Sequence, residues 1–287
     1  MGATSGMSRR ERIPFGLATL DTMFNGGVPR GSFVLLSGET GAGAPEFAYT
    51  SAAMVLMARH APDRFSVYHG GDVEESNLPS DIHYLSFTRS KSDVLNELRY
   101  VLNDDMYDVM TENLVFRDFS KSYFQNTAVP RSWMGEELRG LKGLGASEST
   151  EGLLSEFADY LDRNAGDNLI IIDSLTSLVR ATNVRIDWND LLVLLAGLQK
   201  MSKEWNGLIY GLLDEKTLSE NRHESISATV DGTLHFEWAK GEMQRQRTMY
   251  IGSFRGAMAE LSENENDVYE TSVTDEGFEI SSIRKYG

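Results

Sequence analysis

The chain has no cysteine among its 287 residues. That excludes a disulfide framework, a thiolate metal site, an iron–sulfur cluster and a thiol nucleophile. Histidine is scarce, and His60, His69, His83, His223 and His235 show no ligand spacing along the chain, so spacing alone predicts no histidine zinc site. No apolar run approaches the ~18 residues of a membrane-spanning helix. The first twelve residues carry Arg9, Arg10 and Arg12 but no apolar stretch, so no secretory signal is expected and a cytoplasmic location is. Positive charge is also short: 27 Lys and Arg stand against 43 Asp and Glu, a net charge of −16. An acidic surface repels phosphate backbones, so nucleic acid is not an expected partner.

Only 8 of the basic residues are Lys, against 19 Arg. Low lysine, abundant acid and no cysteine together suggest a salt-loving cytoplasm, where acidic surfaces stay soluble. Apolar residues make up 41% and charged residues 24%, the balance of a folded globular chain. The organisation read from the pattern is a flexible polar tail over residues 1–12 and a single α/β domain over 13–287. Short apolar runs predict strands at Phe33–Leu36, Phe65–Tyr68, Ile82–Phe87, Leu114–Phe116, Leu169–Ile172 and Leu208–Leu213. Helical spacing predicts helices at Pro45–Arg59, Ser92–Leu102, Thr150–Leu161 and Trp188–Trp205. Such alternation argues for a mostly parallel central sheet flanked by helices. Residues 230–283 change character, and four successive runs (Val230–Trp238, Arg247–Ser253, Val268–Val273, Phe278–Ile283) predict an appended antiparallel meander. Residues 119–149 are mixed and Gly-rich, and read as a long variable loop. The apolar stripe Leu191, Leu192, Leu194, Leu195, Leu198 and Met201 reads as core or subunit contact.

The run Gly38-Glu39-Thr40-Gly41-Ala42-Gly43-Ala44-Pro45 joins a predicted strand to a predicted helix. A phosphate-binding loop there follows Gly-x-x-x-x-Gly-Lys-Ser/Thr. The glycines curl N–H groups around phosphates, Lys neutralises them, and the hydroxyl holds Mg²⁺. Here Gly38 and Gly43 occupy the glycine positions, but Ala44 and Pro45 stand where Lys and Ser/Thr would be. Pro45 also removes one N–H donor. Glu46 follows, favouring the helix dipole but repelling phosphate. A charge-assisted contact contributes roughly 1.5–3 kcal/mol, so the combined losses come to about 4–7 kcal/mol, on the order of 10³–10⁵ in nucleotide affinity.

Further segments give this loop a context. The entry from Gly16 through Leu20-Asp21, Gly26-Gly27-Val28-Pro29-Arg30-Gly31-Ser32 to Leu35-Leu36-Ser37-Gly38 resembles that of the KaiC-like ATPases of the RecA superfamily. Leu169-Ile-Ile-Ile-Asp173-Ser174-Leu175-Thr176-Ser177-Leu178 resembles their Walker B strand. Val230-Asp231-Gly232, Phe254-Arg255-Gly256 and Val273-Thr274-Asp275-Glu276-Gly277 resemble their C-terminal landmarks, in order. Within the family the chain most resembles the haloarchaeal branch labelled HTR-like. The resemblance implies a RecA-type P-loop core with a degenerate Walker A motif, an ATP site at the strand ends, and ring or filament assembly. It makes Asp173 the expected ligand of a Mg²⁺-bound water; the residue alone reads equally as a strand-end cap. The position of the family's catalytic Glu pair reads Thr88-Arg89, while an alternative alignment places Glu74-Glu75 there. The family's Lys-Met-Arg-Gly segment reads Ser253-Phe254-Arg255-Gly256. Arg255 is then either a contact to a neighbouring subunit's nucleotide or a surface ion pair with the acidic residues 260–276.

Three departures from the family's chemistry point one way. The leading expectation is a non-catalytic relative, a pseudo-ATPase without a required cofactor that works through a protein partner, self-association, or a mixed ring with an active paralogue. A second is a weak or deviant ATPase that binds ATP or ADP with Mg²⁺, with Lys91 or Lys142 reaching the phosphates and Glu74 or Glu75 as base. A third, a DNA-recombination accessory, is opposed by the acidic charge and the lack of a basic-aromatic stripe.

Overall fold

The computed structural model describes residues 11–71, 73–125, 127–130, 151–182, 186–239, 245–255 and 268–284. Most of the N-terminal tail, residues 131–149 with Lys142, and residues 256–267 lie outside the described residues. A two-stranded ladder, β1 (Arg12–Ile13) with β2 (Val28–Pro29), encloses helix α1 (Ala18–Met23). Asp21, on α1, is buried and fixes this entry: its carboxylate accepts from Phe15 N at 2.6 Å and Gly16 N at 3.0 Å, with His69 Nε2 3.1 Å away.

The chain then runs through β3 (Ser32–Gly38), α2 (Ala44–His60), α3 (Pro62–His69), β4 (Ile82–Ser86), α4 (Lys91–Val101), α5 (Asp104–Asn113), β5 (Leu114–Asp118) and α6 (Ser120–Phe124). It continues as α7 (Glu151–Asn164), β6 (Leu169–Asp173), α8 (Leu175–Thr182), α9 (Trp188–Trp205), β7 (Leu208–Asp214) and α10 (Glu220–Thr229). It closes with β8 (Gly232–Ala239), β9 (Gln246–Phe254), β10 (Val268–Thr274) and β11 (Gly277–Arg284). The large sheet has nine strands in the order β11-β10-β9-β8-β3-β7-β6-β4-β5. From β8 to β5 every neighbouring pair is parallel, while β8 to β11 pair antiparallel. The expected α/β architecture with a C-terminal antiparallel extension is therefore observed.

Strand alternation divides the core. Val34 and Leu36 face one layer with α2, and Phe33 and Leu35 face the other with α9. Helix α2 is buried from Phe47 to Met57, because α3 and α5 cover the side turned away from the sheet. In the second layer Phe87, Phe119 and Phe157 form an aromatic cluster, with ring centroids 5.5–5.7 Å apart. Leu191, Leu195 and Leu198 of the α9 stripe are buried there, as a core role requires.

Two expectations are corrected. Residues Phe65–Tyr68 are not a strand but part of α3, which has Pro62 in its first turn and Gly70 at its left-handed C-cap, φ +73°. Pro62 favours a helix start, and only Phe65 of the helix is buried, so a short apolar run is misleading there. The stretch from 119 opens on α6 rather than on loop. Among the described residues, no helix is long and apolar enough to cross a membrane.

His83, on β4, lies buried between Tyr160, whose hydroxyl is 2.8 Å from Nδ1, and Asn168, whose Nδ2 is 3.4 Å from Nε2. Burial lowers its pKa from 6.5, against a smaller opposing effect of Asp81. The neutral ring is thus favoured by folding, and the unfolded chain takes up the proton first. This contribution is complete above the unfolded pKa and is lost as pH falls from there toward the folded value. His83→Gln should therefore lose less stability than the parent chain as pH falls below the ordinary histidine value, as read from urea midpoints at constant salt.

Candidate functional site

All the parallel strands end on one edge, and the glycine loop leaves β3 there. Gly38 pairs with Asp214 of β7 on one side and Phe236 of β8 on the other. Gly43 has φ +120°, and a Cβ on it would lie 2.9 Å from the Phe278 ring. A Cβ on Gly38 would lie 2.9 Å from the backbone oxygen of Phe236. In the loop Ala42 is buried, and Pro45 lies in the first turn of α2. Glu39 pairs with Lys216 Nζ at 2.6 Å, and Thr40 Oγ1 donates to Asp214 Oδ2 at 3.1 Å. Trp238 Nε1 donates to the Thr40 carbonyl and Arg247 Nε to that of Gly41, at 3.2 and 2.9 Å. Two cations, Lys216 and Arg247, thus stand beside the loop. Lys91 is exposed at the start of α4.

Asp173 closes β6 on the same edge, in register with Ser86 of β4. Its Oδ2 accepts from the Tyr84 hydroxyl at 2.6 Å and lies 3.4 Å from Arg89 Nη1. It serves these two side chains rather than capping the turn that follows. Arg89 Nη1 also donates to the Tyr49 hydroxyl at 2.9 Å, and Nη2 pairs with Glu97. The Tyr49 and Tyr84 hydroxyls are 3.3 Å apart. Since Tyr84 gives its proton to Asp173, Tyr49 donates to Tyr84, and the chain Arg89–Tyr49–Tyr84–Asp173 is internally satisfied.

The local sequence explains how Arg89 is aimed. Its N–H donates to Ser86 Oγ at 2.9 Å, and Ser90 next to it forms a capping box with Asp93 that starts α4. Burial raises Asp173 above the ordinary carboxylate range, against the pull of Tyr84 and Arg89. Burial raises both tyrosines as well. Burial would lower Arg89, but Tyr49, Tyr84 and Asp173 outweigh it, and the guanidinium remains charged.

Other sequence-predicted residues lie elsewhere. Glu74 and Glu75 are exposed on a turn leading into β4, at the opposite end of that strand from Ser86. That turn is anchored by Arg30 Nη2 to the Ser76 carbonyl at 2.7 Å, below the start of β3. They do not reach the loop edge. Arg255 Nη2 donates to the Ala228 carbonyl at 2.7 Å, holding α10 against the end of β9. Glu46 lies on the first turn of α2. Tyr49, Tyr84 and Glu97 were missed by the sequence reading. The available signal was a phenol within apolar stretches, since a buried hydroxyl requires a partner.

A second group on this edge brings together residues that sequence spacing kept apart. Glu215 follows β7, His223 lies on α10 and His235 on β8, and one potential ligand atom of each lies within 4.8 Å of the others. Burial, then His223, lowers His235 to about 4, and burial also lowers His223, so both rings are neutral at neutral pH.

No family model matches the chain, and no curated protein matches it. Among solved structures it is similar to the KaiC-like protein PH0186 from the hyperthermophilic archaeon Pyrococcus horikoshii OT3. The TM-score is 0.58 at 15% identity, over 94% of this chain and 99% of that one. The fold is KaiC-like. In this KaiC-like core the glycine loop and Asp173 share one edge, and Arg89 stands beside that aspartate.

Removing one member of the Arg89–Asp173 contact strands the other in a largely buried place. Arg89→Ala and Asp173→Ala should each destabilise the chain, and the double variant should be less destabilised than their sum. A coupling of about 1–3 kcal/mol is expected from a double-mutant cycle by chemical denaturation.

Proposed function

We propose that the chain is a non-catalytic, KaiC-like member of the RecA superfamily, a pseudo-ATPase that acts by binding protein partners. The observation that carries this reading is the occupation of Asp173 by Arg89 and Tyr84. An aspartate that held the water shell of Mg²⁺ would face the nucleotide's cation. Here a guanidinium supplies the positive charge from within the chain. The side chains at Ala44 and Pro45 agree, since neither can neutralise a phosphate nor bind Mg²⁺. A KaiC-like core without hydrolysis retains surfaces for self-association, or for a mixed ring with an active paralogue. A cytoplasmic setting at high salt, and the HTR-like branch, fit the acidic composition and belong to the same proposal.

Lys216 and Arg247 beside the loop support a second reading, a weak or deviant ATP-binding site in which one of them replaces the missing lysine. Titrating ATP–Mg²⁺ into the chain in concentrated KCl separates the two. The first reading expects no binding up to about millimolar nucleotide and assembly, or recovery of a partner, without nucleotide. Ala44→Lys with Pro45→Thr should regain affinity only in part, and adding Arg89→Ala should raise it further. Micromolar binding by the unmodified chain, abolished by Lys216→Ala or Arg247→Ala, would replace the first reading with the second. A strict monomer that recovers no partner would also count against the first.

A further inference from the structure

The cluster Glu215, His223 and His235 has no part in the nucleotide argument. The three residues come from three elements and converge because those elements end on one edge. Glu215 opens a short turn whose start is fixed by Asp214, which accepts from Lys216 N at 3.1 Å. His223 is carried by α10, which is held against α9 by Arg222 over the Trp188 ring at 4.6 Å. His235 sits in β8 in register with Ser37 of β3.

The surroundings are those of a ligand set. His235 is stacked on Tyr250 at 4.5 Å, with ring planes 7° apart, so its orientation is fixed. Its Nδ1 is buried without a hydrogen-bond partner, a condition that costs free energy unless something accepts the lone pair. Gly252 gives the ring its room: a Cβ there would lie 3.0 Å from His235 Nε2. His223 Nε2 is 2.7 Å from Ser37 Oγ, so this ring is oriented by a second polar group, as metal-bound imidazoles commonly are. Glu237 and Glu39 lie near Glu215 and add negative charge; Lys216, the nearby cation, is paired with Glu39.

We propose that Glu215, His223 and His235 form a binding site for a divalent transition cation of the zinc class. Two imidazoles, one carboxylate and no thiolate suit such a borderline ion better than Mg²⁺ or Ca²⁺, which take oxygen ligands. Donor atoms around one tetrahedral ion, at about 2.0–2.2 Å each, stand about 3.3–3.6 Å apart. The present separations, all within 4.8 Å, thus leave up to about 1.5 Å to be closed by side-chain rotation. Three protein ligands leave a fourth position for water or a partner's donor group. The site also joins the start of the glycine loop by two contacts, because Ser37 precedes Gly38 and Lys216, beside Glu215, holds Glu39, the residue after it. Occupancy would tie β7, α10 and β8 together beneath the loop, whether or not nucleotide binds.

The test uses the full chain, stripped with chelator and titrated separately with Zn²⁺, Co²⁺ and Mg²⁺. The proposal expects one Zn²⁺ per chain, an intense visible Co²⁺ spectrum of four- or five-coordinate geometry, and no comparable Mg²⁺ binding. His235→Ala and Glu215→Gln should each weaken Zn²⁺ at least about 100-fold, and Ser37→Ala about 10-fold, whereas His60→Ala, at an exposed position, should change nothing. Glu215→Gln keeps the side chain's shape, so it reports on ligation even if His235→Ala folds poorly. A weak octahedral Co²⁺ spectrum, or Zn²⁺ affinity unchanged in Glu215→Gln, would overturn the proposal. Neither result depends on the chain's behaviour toward nucleotide, so this site and the proposed function can fail separately.

Discussion

Strand β3 is hydrogen-bonded on both sides, from Ser32 opposite Leu208 to Gly38 opposite Asp214 in β7, and from Val34 to Gly38 along β8. Both pairings are parallel. Every strand from β8 to β5 therefore delivers its carboxyl end to the same edge, and the groups that leave those ends become neighbours whatever their separation in sequence. Asp231 holds the opposite end of this arrangement. Its Oδ2 accepts from Phe33 N at 2.8 Å and Lys203 Nζ at 2.5 Å, and its Oδ1 from Gln199 Nε2 at 2.8 Å. One buried carboxylate thus ties the start of β3 to α9, while hydrophobic layers on both faces keep the sheet dry.

The edge that results holds a charge problem and its solution. Asp173 is fixed by the β6 register, and a buried carboxylate without a counter-charge costs several kcal/mol. In a nucleotide-binding relative, the bound cation and its water would help to balance it. Here Arg89 is directed at it by the Ser86 contact and the Ser90 capping box, and Tyr84 supplies a short hydrogen bond. The uncharged Ala44 in the loop and the arginine beside Asp173 lie on different segments of the one edge.

Much of the fold was legible because its period was unambiguous. The β3–loop–α2 succession, the Walker B strand, the long α9 and the four C-terminal strands all appear where the pattern placed them. The failures have physical causes. Phe65–Tyr68 is too short for its apolar spacing to separate strand from helix, and Pro62 with Gly70 decides the matter. Arg89 was visible in the sequence, but not the direction of its side chain, which depends on Ser86 and on the Tyr49 hydroxyl. His223 and His235 carried no motif because the seating of α10 beside β3 and β8, not sequence spacing, brings them together. Glu74 and Glu75 show the reverse: an acidic pair that looked suitable lies at the wrong end of its strand.

The glycine loop is held by packing as well as by its own backbone. Gly38 is confined by the Phe236 backbone and Gly43 by the Phe278 ring, so a side chain at either position would collide with the C-terminal strands. The carbonyls of Thr40 and Gly41 are held by Trp238 and Arg247, which stack on each other with the guanidinium 4.9 Å from the ring centroid. These contacts specify the loop's backbone without any phosphate. The two glycines therefore answer to packing against β8 and β11, whereas Ala44 and Pro45 sit at positions whose lysine and hydroxyl would answer only to a ligand. The loop's shape is thus set by its neighbours in the C-terminal strands, which would hold it with or without a ligand.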